Sequence, residues 1–484
     1  MWKVTSATAK FKSKYMSNKQ ITRREFLKRL GLGGAVAGTA ALVGCSAKDA
    51  VAGSQAALGP IPKDKMTYRT NPSTGDKVSL LGYGCMRWPT MSGEAVKDKN
   101  ASPEEAKLDQ KAINRLVDFA LEHGVNYFDT SPAYCQGQSE RATGIALSRH
   151  PRNKYFIATK LSNFDPSTFS HDASVAMYRN SLKELQTDYI DYYLLHAVGM
   201  GDDGMEMLRK RYIDNGMLDF LLAEREAGRI RNLGFSYHGD VAVFDYLLAN
   251  HDKYKWDFVQ IQHNYSDWQN AAEGETKSEY LYGELQKRGI PAVVMEPLLG
   301  GRLASVPDAV AARLKQHEPE RSVASWTFRY AGTMPGILTV LSGMTHMEHL
   351  QDNLRSFCPL KPLTDAEMQM LYSQAAVIAK YPYINCNQCQ YCMPCPYGLD
   401  IPGIFGHYNK CLDEGNIATN RRDPDYARAR RAYLIGYDRA VDKERQASRC
   451  IACGTCLPHC PQRIDIPLQM QQIDAYTEHL RTDT

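Results

Sequence analysis

Gly124-Val-Asn-Tyr-Phe-Asp129-Thr-Ser-Pro-Ala-Tyr134 is the stretch on which the reading of this chain turns. Tyr127-Phe-Asp129 is a short β-rich run ending in an acid, and Thr-Ser-Pro-Ala is turn chemistry leading to Tyr134. Helical periodicity precedes it (Gln110–His123) and follows it (Glu140–Arg149). Working outward, the same alternation continues. Strands are expected at Val78–Gly82, Tyr127–Asp129, Tyr155–Lys160, Tyr189–His196, Arg231–Ser236, Asp257–Gln262, Pro291–Glu296 and Ile337–Ser342. Between the later strands lie the helical segments Ser174–Leu185, Met217–Ala227, Val241–Asn250, Tyr280–Lys287 and Ser322–Tyr330. Alternating strands and helices from Val78 to Leu354 have the size and order of a (β/α)8 TIM barrel. A doubly wound open sheet should carry a phosphate-binding glycine fingerprint after its first strand, and Gly82-Tyr-Gly-Cys-Met is not one.

In such a barrel chemistry gathers at the C-terminal ends of the strands. Those ends supply Asp129, then Tyr134 in the loop beyond it, Lys160 and His196. Singly these are a loop cap, a surface lysine and a core histidine; together on one rim they form a candidate site. The residues that carry them, Gly124 to Tyr134, Ala-Thr-Lys160 and Tyr-Leu-Leu-His196, resemble the aldo-keto reductase family. The resemblance implies carbonyl–alcohol interconversion on a small-molecule substrate. Tyr134 would be the general acid, with Lys160 lowering its pKa. Asp129 would hold Lys160, and His196 would orient the substrate oxygen.

The same resemblance implies an NAD(P) cofactor, with contacts from Ser236, Gln260 and Asn264 and, after the eighth strand, from Ser342, Gly343 and Asn353. Family members that prefer NADP place a lysine and an arginine there. Gly343 and His349 stand instead, so little is left to pair with a 2′-phosphate.

The C-terminal part carries Cys386-x2-Cys389-x2-Cys392-x2-Cys395-Pro396 and Cys450-x2-Cys453-x2-Cys456-x3-Cys460-Pro461. Three cysteines at turn spacing followed by Cys-Pro is the ligand pattern of a ferredoxin with two [4Fe–4S] clusters. Zinc sites would leave the third CxxC and the Cys-Pro without a role. In ferredoxins of this kind the fourth cysteine serves the other cluster. That implies Cys386, Cys389, Cys392 and Cys460 for one, and Cys450, Cys453, Cys456 and Cys395 for the other. Helical periodicity between the runs points to a mostly α-helical ferredoxin-type domain. Pro-Tyr-Gly-Leu-Asp-Ile-Pro402 and Pro-Gln-Arg-Ile-Asp-Ile-Pro467 follow the two runs in parallel, an internal repeat. With its tail, the chain is similar to aldo-keto reductase–ferredoxin fusion proteins.

At the other end, Thr22-Arg23-Arg24-Glu25-Phe26-Leu27-Lys28 precedes an apolar stretch from Leu30 to Val43. This resembles a twin-arginine export signal, with Met16 as an alternative initiator. Leu42-Val43-Gly44-Cys45 resembles a lipobox, which would make Cys45 a lipidated residue and the only membrane attachment. The expected layout is signal 1–47, linker 48–66, barrel 67–360, connector helix 361–380 and cluster domain 381–484, in a periplasmic or membrane-anchored protein.

Composition fits. The chain has 484 residues, 43% hydrophobic and 10% aromatic, with a net charge of +4 that gives no case for nucleic acid. Of 13 cysteines, eight lie in the two runs, so disulfide-rich secretion is not the explanation. Cys85, Cys135, Cys358 and Cys411 read as small buried hydrophobes. One mismatch stands out: a nicotinamide delivers two electrons as hydride, whereas each cluster takes one. A flavin usually bridges them, and no flavin motif is visible. Otherwise a bound cofactor not visible in the sequence or an external redox partner does the splitting, or the clusters act without nicotinamide. Export, which leaves free nicotinamide scarce, adds the hypothesis of a tightly held dinucleotide recharged through the clusters. The competing class is a redox-sensing or electron-carrier subunit whose barrel only docks partners.

Overall fold

The computed structural model describes residues 59–96, 101–201, 203–271 and 276–483, which belong to one compact unit, residues 57–484. The signal and lipobox, with Arg23, Arg24 and Cys45, lie outside the described residues. Eight parallel strands close into a barrel: β3 (Leu81–Gly84), β4 (Tyr127–Asp129), β5 (Phe156–Leu161), β6 (Ile190–Val198), β7 (Ile230–Tyr237), β8 (Phe258–Gln262), β9 (Ala292–Met295) and β10 (Ile337–Ser342), with β10 pairing to β3. Buried on both faces, they read as nearly continuous apolar runs; β6 and β10 have no exposed residue.

The first strand is shifted from the sequence expectation. Val78 belongs to β2 (Lys77–Ser79), which pairs antiparallel with β1 (Tyr68–Thr70), and the barrel strand begins at Leu81. This hairpin leads into polar side chains at that end of the barrel: Asn71 donates to Asn232, Tyr192 donates to Asp76, and Arg231 pairs with Asp76 and Asp191. The interior is filled by Val78, Tyr127, Tyr192, Leu194, Phe258, Val293 and Leu338.

Eight helices alternate with the strands: α1 (Gln110–Glu122), α2 (Ser139–Leu147), α3 (His171–Glu184), α4 (Met217–Glu226), α5 (Val241–Ala249), α6 (Ser278–Lys287), α7 (Val323–Thr333) and α8 (Met347–Phe357). Side-chain caps start several of them, Asp109 accepting from the Ala112 amide and Ser170 from that of Ala173. The connector is α9 (Asp365–Ile378), opened by a Thr364–Glu367 capping box and packed through Leu371 and Ala375 among Leu299, Leu303, Trp326 and Tyr330.

The cluster domain is built from α10 (Ile401–Asp413), α11 (Tyr426–Ala440) and α12 (Ile466–Thr482). The internal repeat is two equivalent helix starts. Asp400 and Asp465 each cap their helix, accepting from the Gly403 and Leu468 amides, and proline follows in the first turn of each. Ile401, Ile404, Phe405, Ile466, Met470 and Ile473 form an apolar core against the cysteines. Among the described residues no helix is long and apolar enough to cross a membrane.

Candidate functional site at the barrel mouth

Register brings the acid and the lysine together. Asp129 pairs with Ala158 across β4 and β5, so Lys160, two residues on, points the same way nearer the rim. The Lys160 ammonium donates to Asp129 Oδ1 at 2.6 Å and to the Thr130 carbonyl at 2.8 Å, both side chains being essentially buried. The ammonium lies 4.9 Å from the centroid of the Tyr134 ring. Tyr134 sits on a tight turn in which Cys135 (φ 50°) and Gln136 (φ 53°) adopt left-handed backbone. Its ring meets that of His196 edge-on, centroids 5.9 Å apart. The four residues picked out by sequence thus share one site.

The electrostatics depart from expectation at Tyr134. Burial, reinforced by Tyr391 and by the acids Asp129 and Glu296, holds its phenol well above the ordinary value near 10. The Lys160 charge is spent on Asp129, whose own carboxyl is pushed up by burial against the opposing pull of that ammonium. Tyr134 is therefore a firmly protonated donor rather than an acidified one. His196 is held well below its ordinary value by burial, then by Lys160, His238 and Arg211. It is a neutral imidazole, with Nδ1 2.6 Å from Ser162 Oγ and 3.4 Å from Ser131 Oγ. Its backbone is fixed at both ends: the amide donates to Tyr212 Oη at 3.0 Å, and the carbonyl accepts from the Arg211 guanidinium at 2.7 Å. The next residue, Ala197, has φ 51°, a left-handed kink at the strand end of the kind that clusters at functional sites.

His196 Nε2 faces a residue of the cluster domain. Tyr391, between Cys389 and Cys392, brings its hydroxyl to 3.2 Å, and Phe164 packs against both rings. The cluster loop lies on the rim at further points. Arg87 donates to the Asn387 carbonyl (3.3 Å), Arg302 to Asn385 Oδ1 (3.0 Å), Gln390 to the Val96 carbonyl (2.9 Å), and Gln462 to Gln262 (3.0 Å). Gly300 makes this fit possible. It has φ +67°, and a Cβ there would lie 2.2 Å from the Asn387 carbonyl oxygen. Beside this seam a cavity of about 420 Å³ is lined by Tyr237, Asp267, Arg302, Tyr383 and Gln462, among others.

The residues assigned to a dinucleotide are mostly occupied by the chain itself. Ser236 Oγ accepts from the Ala197 amide. Asn264 bonds Asp267 and the amides of Ser266 and Asp267. Ser342 Oγ accepts from Asn353. A Cβ on Gly343 would lie 3.1 Å from the Arg87 side chain. Gln260 alone keeps a buried acceptor, Oε1, without a partner. These residues fit a nicotinamide carboxamide at Gln260 and fit the remainder of a dinucleotide poorly.

The cysteines separate into the two implied sets. One cavity is lined by Cys386, Cys389, Cys392 and Cys460, the other by Cys395, Cys450, Cys453 and Cys456. Among the described residues no group of His, Cys, Asp or Glu converges on a single-ion position; the thiols surround voids instead. Burial, then neighbouring thiols, pushes Cys386 up to about 12 and Cys456 up to about 11. Amides two residues ahead point at the sulfurs. Gln388 N–H donates to Cys386 (3.4 Å), Tyr391 N–H to Cys389, and Thr455 N–H to Cys453. Left-handed backbone at Gln388 (φ 57°) and Gln390 (φ 66°) shapes the first run. Four thiols around an apolar-walled void, with amides aimed at sulfur, fit an iron–sulfur cubane. The two cages differ in exposure. The first abuts the barrel; beside the second, Cys453 is exposed, and Ile451 and Tyr397 are 59% and 51% exposed. Cys85, Cys135, Cys358 and Cys411 are buried.

Comparison with known proteins agrees with this architecture. Residues 81–375 match the model of the aldo/keto reductase family, and residues 385–464 match that of the 4Fe-4S dicluster domain. An oxidoreductase named YqkF from Bacillus subtilis is 26% identical over 327 residues, 61% of this chain and 92% of that protein. L-galactose dehydrogenase of Arabidopsis thaliana is 23% identical over 317 residues, 62% of this chain and 90% of the enzyme. The solved holo form of aldo-keto reductase AKR11C1 from Bacillus halodurans overlays with a TM-score of 0.49 at 24% identity, covering 64% of this chain and 96% of that one. The chain belongs to the aldo/keto reductase family and carries a C-terminal 4Fe-4S dicluster domain.

Sequence reasoning did not single out Tyr391, Arg87, Glu296, Ser162, Arg211 or Tyr212. Tyr391 carried one signal, its place inside a ligand run. Arg211 and Tyr212 lie in a helical turn (Arg209–Ile213) whose polar sequence does not say that it folds under His196.

Proposed function

We propose that this chain is an oxidoreductase that interconverts a small-molecule carbonyl and its alcohol at the barrel mouth, exchanging electrons through two [4Fe–4S] clusters. The observation that carries the reading is the buried Lys160–Asp129 pair beneath Tyr134, with His196 beside it and the cluster loop on the same rim. Tyr134 and His196 would hold the substrate oxygen. Tyr134 would place a proton on that oxygen as negative charge develops there. Asp129 holds Lys160 in place under the ring, and the cluster loop lies over the mouth. Cys386, Cys389, Cys392 and Cys460 would hold one cluster, and Cys450, Cys453, Cys456 and Cys395 the other, each supplying one-electron transfer when bound. Exposed apolar side chains at the second cage support its role as the docking point for an external one-electron partner.

The export reading rests on Arg23-Arg24 and Cys45, and a shift of the protein to the cytoplasm in an R23K/R24K variant tests it. The central test is anaerobic titration of the holoprotein with NADH, then NADPH, following the visible absorbance of the clusters. Bleaching by either nucleotide joins barrel and clusters in one electron path. No bleaching, with dithionite still reducing the clusters, removes the dinucleotide from the scheme and leaves the external partner as electron source.

A further inference from the structure

Tyr391 makes two contacts that belong to different halves of the protein. Its hydroxyl lies 3.2 Å from His196 Nε2 at the barrel mouth. Its backbone amide hydrogen-bonds the sulfur of Cys389, which lines the first cage. The loop between these two ends has little slack. Cys389 and Cys392 flank Tyr391, Gln390 is tied to the Val96 carbonyl, and Asn387 is pressed against Gly300. On the other side His196 is fixed through its own amide and carbonyl by Tyr212 and Arg211. Whatever displacement of the Tyr391 hydroxyl its own side-chain torsions do not take up therefore reaches a backbone held on both sides.

Hydrogen bonds to the sulfurs are among the terms that set a cluster's reduction potential. We propose that Tyr391 is a positioning residue that ties the state of the barrel mouth to the reduction potential of the cluster held by Cys386, Cys389, Cys392 and Cys460. An oxygen-bearing ligand that hydrogen-bonds His196 Nε2 competes with the Tyr391 hydroxyl, and the amide on Cys389 moves with it. Linkage makes the effect reciprocal: reducing that cluster changes the affinity of the mouth for such a ligand by the same factor. The second cage has no counterpart among the described residues. At its equivalent position Thr455 donates its amide to Cys453, and its hydroxyl lies 3.4 Å from the same sulfur, so both groups are engaged locally.

This inference rests on the proposed cluster occupancy but not on turnover, so its test uses resting holoprotein. Both midpoint potentials are measured by mediated anaerobic titration with EPR detection in wild type, Tyr391→Phe, His196→Leu and the double variant. Thr455→Ala identifies which potential belongs to the second cage. Iron and sulfide counts confirm that both clusters are present. Tyr391→Phe and His196→Leu should shift the first cage's potential in the same sense, by up to about ten-fold in the one-electron equilibrium, which is about 59 mV. The double variant should shift it no further than the larger single shift, and the second cage should stay put. An unchanged first-cage potential in His196→Leu overturns the proposal, as do shifts that simply add in the double variant. If Tyr391→Phe fails to assemble its cluster, His196→Leu decides alone, because it lies in the barrel and leaves every cysteine and loop residue in place.

Discussion

Lys160→Met is the perturbation with the clearest consequence. In the wild type the Lys160 ammonium and Asp129 carboxylate meet at 2.6 Å with 0% and 3% side-chain exposure, and the ammonium has a second acceptor in the Thr130 carbonyl. Coulomb attraction at that distance is about 6 kcal/mol at an effective dielectric of about 20, largely offset by the cost of desolvating both groups. Removing one partner leaves that cost on the other, so Lys160→Met should lose about 3–5 kcal/mol near neutral pH. The pH dependence distinguishes this from a packing defect. Burial already raises the Asp129 pKa, and Lys160 is what opposes the rise. In the variant the folded-state pKa climbs further above the unfolded value near 3.9. Between those two pKa values the folded state binds more protons than the unfolded one. Stability then falls as pH rises, by up to about 1.4 kcal/mol per unit, and returns on acidification. Urea denaturation of the anaerobic holoprotein, followed by circular dichroism at a series of pH values, measures both quantities. Adding Asp129→Asn should recover most of the loss and flatten the pH dependence. A Lys160→Met variant that is within about 1 kcal/mol of wild type, or equally destabilised from acid to neutral pH, would refute the buried-pair argument.

Tyr134→Phe should lower carbonyl turnover by about 10²–10⁴-fold while dithionite reduces both clusters as before; equal loss of both would mean that the substitution disturbs the fold instead. Because burial, Lys160, His238 and Arg211 depress His196, no imidazole ionisation should appear in the pH dependence of inhibitor or substrate binding between roughly pH 6 and 8. A break near the ordinary histidine value, absent in His196→Leu, would show that its surroundings are wetter than described. Gly300→Ala drives a methyl into the Asn387 carbonyl, so it should unseat the first cluster loop. Faster protease cleavage between Asn385 and Met393, with the barrel's circular dichroism intact, is the expected result.

The barrel was legible because parallel strands buried on both faces write themselves as apolar runs at regular intervals, and β4, β5, β6 and β10 fall within a residue or two of where those runs lie. The exception is instructive. Val78-Ser79-Leu80-Leu81 reads as one continuous strand-like run, yet the chain divides it between a hairpin strand and a barrel strand. Nothing local marks that division; the pairing of Leu81 with Val340 far along the chain does. The tetrad was legible for a related reason, since each member sits within a few residues of a strand end. The two cysteine runs were legible because ligand spacing within each is local; that Cys460 lines the first cavity and Cys395 the second is non-local, and only the ferredoxin resemblance suggested it.

What sequence left unread is the joining of the two halves, and the reason is geometric. Gly300 and Arg87 lie tens to hundreds of residues from Asn387 and Tyr391, and the types of all four are individually unremarkable: a loop glycine, an asparagine beside a cysteine, an arginine after a strand, a tyrosine in a ligand run. Their meaning comes from the close approach of Gly300 to Asn387, which only a glycine permits, and from the direction in which Tyr391 leaves its loop. Arg87 shows the same dependence on distant partners: its side chain lies over Gly343 beyond β10 while its guanidinium donates to the Asn387 carbonyl of the cluster loop. This part of the rim therefore holds the cluster domain, and substitutions there should be read first as changes to that contact.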